Sequence, residues 1–278
     1  LDMDVVHVFW SRHAGMVLAV LGRLGMRARR SAFVGAYDLV ADDFLVDVTL
    51  GWSDVVFSHA EANRAYLERK VPRNTPVHIV HRGIPLIAPD DSLVRDPNLW
   101  ITASSLTPAK NVEGVLQAFA LARRLRPELT LAIYGEGEDR SRLEQCSRDL
   151  GCADAVRFGG HVRREELFRE MQQAAVFIML SKKASERLPN VVKEALWAGC
   201  ALISSNSEGI EALIPDTAIG HVIDPDNASA VDAAVQSVLA ETPDQANLRR
   251  LGARELIATH FSSELGMRQY VAAWRGQC

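Results

Sequence analysis

The sequence predicts an α/β protein of two doubly wound domains on parallel sheets, and three observations carry that expectation. Short apolar runs alternate with stretches of helical periodicity along the chain, as stacked βαβ units require. The chain has 278 residues, enough for two domains with a full core in each. A stretch rich in proline and aspartate, Ile84 to Pro97, divides the alternation into two series.

In the first series strands are expected at Asp4–Phe9, Ser31–Gly35, Asp54–Ser58 and Val77–Val80. Between the first two, Met16, Val17, Val20, Leu21 and Leu24 fall at helical spacing within His13–Met26, and Ala60–Lys70 repeats the pattern. The second series opens with a strand at Leu99–Ser104. A helix follows from about Asn111, where Val112, Val115, Leu116 and Phe119 obey the i, i+3, i+4, i+7 rule. Strands at Leu129–Tyr134, Val156–Gly159, Val176–Leu180, Ala201–Ser204 and His221–Ile223 then alternate with helices near 138–150, 164–173, 189–198, 228–240 and 245–259. A last helix around Glu264–Trp274 carries Leu265, Met267, Tyr270, Val271 and Trp274, an apolar face too large to leave in water, and is expected to cross back to the first domain. The expected organisation is therefore a domain at 1–90, a second at 91–260 and a returning helix at 261–278.

Composition narrows the function classes. Apolar residues make up 48% and charged residues 24%, as in ordinary globular chains. With 31 Lys plus Arg against 35 Asp plus Glu, the net charge of −4 argues against nucleic acid as a partner. The four cysteines, at 146, 152, 200 and 278, form no CxxC pair and no metal-ligand spacing with the histidines, so neither a metal site nor a disulfide framework is expected. The run Ala14–Gly22 is too short to span a bilayer and stops at Arg23. The chain opens at Leu1 directly on a strand and carries no signal-peptide pattern, which reads as a start inside a domain that is incomplete at its N-terminus. A cytoplasmic location is expected. Arg23, Arg27, Arg29 and Arg30, following an apolar stretch, leave room for peripheral contact with anionic lipid at the inner face of a membrane.

The most informative segment is the βαβ unit from Val176 to Glu211. Pro189 suits the first turn of a helix and Gly199 the position just past its end. The N–H groups of Asn190, Val191 and Val192, with the positive end of the helix dipole, make a site for a phosphate. Glu186 in the preceding loop and Glu194 one turn inside the helix bracket that site. Carboxylates repel a phosphate, so their natural partners are hydroxyls, and a ligand with hydroxyls on both sides of its phosphates is a nucleoside diphosphate sugar. The same spacing also fits a solvated loop charge at Glu186 and a Glu194 that complements the dipole.

The run Ser185-Glu186-Arg187-Leu188-Pro189-Asn190-Val191-Val192-Lys193-Glu194-Ala195, with Gly199 and Glu211 downstream, resembles the E-x7-E region of the retaining glycosyltransferases of family 4. The likeness extends to Ser104-Ser105-Leu106 and Lys110-Asn111, to the glycine turn Tyr134-Gly135-Glu136-Gly137, to Phe158-Gly159-Gly160-His161-Val162, and to Asp54-Val55-Val56 with Gly83-Ile84. It implies the B-type glycosyltransferase fold: two Rossmann-like domains facing a cleft, the first for the acceptor and the second for the donor, with no metal and no cofactor beyond the nucleotide sugar. Glu186 would hold hydroxyls of the transferred sugar, Glu194 the ribose, and Lys110 the diphosphate. Gly135, Leu188, Asn190 and Val191 would line the donor site, and backbone around His161 and Val162 would meet the base.

The chain also departs from the pattern. Ser105 stands where the family usually has an Arg. Phe9 replaces the second member of a His-x-His pair begun by His7, and the usual catalytic histidine would fall near Val34 or Gly35. Asp38 and His13 are the polar groups near that place and join Glu186 as catalytic candidates. The implied activity is retaining transfer of a sugar to a saccharide or lipid-linked acceptor. The alternatives are a sugar-nucleotide epimerase or phosphorylase on the same fold, or a degenerate nucleotide-sugar-binding partner protein.

Overall fold

The computed structural model describes residues 3–35, 38–39, 44–183, 186 and 188–277. Ser185 and Arg187 of the resembling run lie outside them. The chain forms two compact units, one of residues 1–83 and 260–278 and one of residues 84–259.

In the first unit β1 (Val5–Phe9), β2 (Arg29–Phe33), β3 (Val55–Ser58) and β4 (Val77–Ile79) form a wholly parallel sheet in sequence order. Among the described residues the connections include α1 (Arg12–Arg23), α2 (Phe44–Gly51) and α3 (Arg64–Lys70). Leu18 of α1 packs with Val46 and Leu50 of α2 over Val8, Ala32 and Val56 of the sheet. The two helices cross closely because Gly15 has no side chain: a Cβ there would lie 1.6 Å from Thr49 Oγ1. That contact turns Met16, Val17, Val20 and Leu24 outward, where each is exposed. The basic cluster expected after this helix is divided. Arg29 and Arg30 belong to β2, with Arg30 paired to Asp54 at 2.7 Å, while Arg23 and Arg27 remain exposed.

The last helix, α10 (Ser263–Trp274), belongs to this unit. Tyr270 lies 4.2 Å from Phe57 between ring centroids, and Trp274 Nε1 donates to Ser31 Oγ at 2.9 Å.

In the second unit β5 (Asp96–Ala103), β6 (Thr130–Tyr134), β7 (Val156–Gly160), β8 (Ala174–Met179), β9 (Ala201–Ser205) and β10 (His221–Ile223) form one parallel sheet. The order β10-β9-β8-β5-β6-β7 is that of a dinucleotide-binding domain. Helices α4 (Val112–Leu125), α5 (Arg140–Asp149), α6 (Arg164–Gln173), α7 (Asn190–Ala198), α8 (Ala228–Ala240) and α9 (Pro243–His260) complete it. The fully buried Trp100, Leu116, Phe119, Ile133 and Ile178 anchor the core. The stretch expected to act as a linker is part of this unit, since Trp197 Nε1 donates to Ile87 O at 2.7 Å. Strand order reverses between β5 and β8, and ligands bind such sheets at this point, beyond the carboxyl ends of the strands. Among the described residues no helix is long and apolar enough to cross a membrane.

Candidate functional site

The loops leaving β5 and β6 are drawn together by glycine. Gly135 has φ +119, and a Cβ there would lie 1.9 Å from Ser104 O. With no side chain in the way, Ser104 N donates to Tyr134 O at 3.1 Å, Leu106 N to Glu136 O at 2.9 Å, and Gly135 N to Gly160 O at 2.8 Å. A cavity of about 510 Å³ opens above these strand ends. Ser105, Gly135, His161, Val162, Asn190, Val191 and Glu194 line it, together with Ser104, Tyr134, Glu136 and Leu167. Tyr134 forms a buried part of the wall, and burial, reinforced by Glu170, pushes its hydroxyl pKa up to about 12. It is neutral at physiological pH.

Helix α7 ends in the left-handed Gly199 and aims its N-terminus at this cavity through Asn190 and Val191. Val192 N donates to Pro189 O at 3.2 Å, so this N–H, expected to be open to a phosphate, is already engaged. Among the described residues the N–H groups of Asn190 and Val191 have no partner. Leu188 is buried and is not among the cavity's lining residues. Its φ of +48 places it in the left-handed region that β-carbon-bearing residues rarely adopt.

Lys110 and Glu186 also lie outside the lining and hold each other. The Lys110 ammonium donates to Glu186 Oε2, each side chain is 16% exposed, and Ser181 Oγ donates to the same oxygen at 3.1 Å. The pairing follows from how the loops after β5 and β8 are tied. Asn111, left-handed at φ +49, caps α4 with its Oδ1 and donates from Nδ2 to Leu180 O at 3.0 Å, while Lys182 N donates to Ala109 O at 2.9 Å.

Other carboxylates here are also paired. Glu194 receives Arg164 at 2.7 Å and Glu136 receives Arg140 at 2.7 Å. The repulsion that bare carboxylates would exert on a phosphate is therefore offset locally. Arg164 escapes notice in the sequence because Arg163-Arg164-Glu165-Glu166 reads as a solvated charge run. Only the packing of α6 on α7 shows its partner.

The two candidates from the first unit are placed differently. His13 is exposed in the first turn of α1. Asp38 is fully buried and accepts from Ser11 N at 3.0 Å, Ser11 Oγ at 2.7 Å and Gly35 N at 2.9 Å. With its oxygens so engaged, Asp38 fastens the turns after β1 and β2. Among the described residues no group of three or more His, Cys, Asp or Glu could hold a metal ion.

Residues 87–254 match the sequence model of the family described as glycosyl transferases group 1. The glycogen synthase of Mycobacterium tuberculosis (strain H37Rv) is 30% identical over 172 residues, covering 60% of this chain and 41% of that protein. A GDP-mannose-dependent alpha-(1-6)-phosphatidylinositol monomannoside mannosyltransferase of Mycolicibacterium smegmatis is 29% identical over 172 residues, covering 60% of this chain and 44% of that protein. The chain thus spans less than half the length of these curated relatives. Among solved structures, the pneumococcal O-GlcNAc transferase GtfA in complex with UDP and GlcNAc superposes with a TM-score of 0.77 at 18% identity, over 99% of this chain and 57% of that one.

Proposed function

Because the chain belongs to the glycosyl transferases of group 1, we propose that it moves a sugar from a nucleoside diphosphate donor to a saccharide or lipid-linked hydroxyl, with retention and without a metal ion. The observation that carries this reading is the cavity at the strand-order reversal, walled by Glu194 and by the first residues of α7, Asn190 and Val191. Glu194 accepts from the ribose hydroxyls, and backbone at His161 and Val162 meets the base. The N–H groups of Asn190 and Val191 and the Lys110 ammonium hold the diphosphate, an anion suited to a helix N-terminus and a point cation. Once a phosphate takes Lys110, Glu186 is released to accept from hydroxyls of the transferred sugar. The catalytic contribution is mainly electrostatic, since the leaving diphosphate itself takes the proton of the attacking hydroxyl and the protein orients both.

The lipid-linked class of acceptor is supported by the outward face of α1, where Met16, Val17, Val20 and Leu24 lie beside the exposed Arg23 and Arg27. Co-sedimentation with anionic vesicles, lost in Val20→Glu, checks that contact.

The test of the activity is product analysis with UDP-, GDP- and ADP-sugars and with saccharide and lipid-linked acceptors. The expected product is a glycoside that keeps the donor's anomeric configuration. An epimerised nucleotide sugar, a phosphorolysis product, or binding without turnover would each replace this reading with the corresponding alternative.

A further inference from the structure

We propose that Arg164 is a positioning residue for donor recognition, holding Glu194 so that one carboxylate oxygen meets the ribose hydroxyls of a nucleoside diphosphate. The inference rests on the reading of Glu194 given above. Arg164 opens α6, just after the loop that brings His161 and Val162 to the cavity, and it is not itself a lining residue. Its Nε and Nη2 both reach Glu194 Oε1, each at 2.7 Å. The Nε contact is a hydrogen bond and the Nη2 contact an ion pair, so Arg164 occupies the Oε1 side of the carboxylate. Among the described residues Oε2 has no partner, which leaves it as the acceptor for whatever fills the cavity.

The rigid guanidinium brings two nitrogens to Oε1 and so fixes the place of that oxygen more closely than a single flexible ammonium does. Arg164 is 36% exposed and Glu194 14%, so the pair presents a nearly buried acceptor from an accessible support. A ligand without ribose hydroxyls leaves that acceptor unpaired, and this is the physical origin of the selectivity.

The experiment uses the full chain and its variants Arg164→Gln, Arg164→Lys and Glu194→Gln. Each is titrated calorimetrically with UDP, ADP and GDP and with their 2′,3′-dideoxy counterparts. For whichever nucleoside diphosphate binds the unaltered chain, the dideoxy form should bind about tenfold more weakly. Arg164→Gln should weaken both forms through the uncompensated Glu194 charge and weaken the ribose form by about tenfold more, while Arg164→Lys recovers part of the difference. In turnover the donor KM should rise with kcat little altered.

If Arg164→Gln keeps the discrimination while Glu194→Gln loses it, or if Arg164→Gln weakens both ligand forms alike, the positioning role is overturned and the reading of Glu194 stands. Should Glu194→Gln keep the discrimination as well, the ribose assignment of Glu194 falls. If none of the nucleoside diphosphates binds the unaltered chain, the donor reading fails and the inference with it.

Discussion

Lys110 and Glu186 satisfy each other, and a phosphate that takes the ammonium must displace the carboxylate. The two are mostly buried, so the attraction to be broken exceeds that of a solvent-exposed pair. Glu186→Gln removes the competitor. It should tighten binding of a nucleoside diphosphate by about fivefold, because the lysine no longer has to change partners. The complete nucleotide sugar should gain nothing, since it loses an acceptor for its own hydroxyls. The same variant should melt at a lower temperature, as Lys110 is left without its counterion. Calorimetry with the two ligand forms decides the matter, and equal weakening of both would show that Lys110 does not exchange partners. Lys110→Met should weaken both forms, by loss of the charged hydrogen bond to phosphate.

At the scale of elements, α10 is held to the first sheet by a short polar chain inside an aromatic cluster. Trp274 Nε1 can only donate, so Ser31 Oγ accepts it and its one hydrogen remains for His7 Nδ1, 2.8 Å away. The arrangement needs a neutral imidazole. Burial among Phe57, Tyr270 and Trp274 favours that form and depresses the His7 pKa below the ordinary 6.5. The unfolded chain then takes up this proton at a higher pH than the folded one. The stabilisation is therefore present above about pH 6.5 and is lost as the pH falls below it. Half-buried His78 in β4 is depressed likewise, by partial burial and by Arg29 and Arg64, and adds to the same slope. Hydrogen exchange should show α10 losing protection between pH 7 and pH 5 ahead of the second unit. His7→Gln accepts a hydrogen bond without titrating and should flatten that response; an unchanged pH profile in the variant would remove His7 from the account.

The elements also show why some of the structure was legible in the sequence and some was not. Helix α7 was readable because Pro189 and Gly199 fix its ends by backbone chemistry alone. The strands of the second unit were readable as apolar runs because helices cover both faces of a parallel sheet. Helix α2 was not expected, since Phe44–Gly51 is an apolar run in which Val46, Val48 and Thr49 are β-branched. The outward face of α1 was hidden for a related reason. Met16, Val17 and Val20 are as apolar as Leu18 and Ala19, and the side that is buried is decided by the contact of Gly15 with Thr49, a tertiary fact. Within the site the helix end that faces the cavity was legible and the ion pairs were not, because Lys110 and Arg164 find their partners across distant segments of the chain.

At the scale of the molecule, the two units differ in how the chain builds them. The second is continuous from 84 to 259 and owns its core, its full six-stranded sheet and every residue that lines the candidate donor cavity. The first depends on both ends of the chain. Its sheet buries Phe33, Val55, Phe57 and Val80 against Ala273, Tyr270 and Trp274 of α10. Losing that helix exposes aromatic and aliphatic surface whose burial contributes roughly 1.5–3 kcal/mol for each large side chain, a large share of a domain's net stability. A fragment of residues 84–259 should therefore fold alone with a cooperative melt and bind a nucleoside diphosphate within about threefold of the whole chain's affinity. Residues 1–83 without α10 should show no cooperative transition, while linking 1–83 to 260–278 should restore one. Circular dichroism melts of the three fragments and calorimetry on the first provide the check. If 84–259 melts cooperatively yet fails to bind the nucleotide that the full chain binds, the donor site needs residues of the first unit, and its assignment to one unit is wrong.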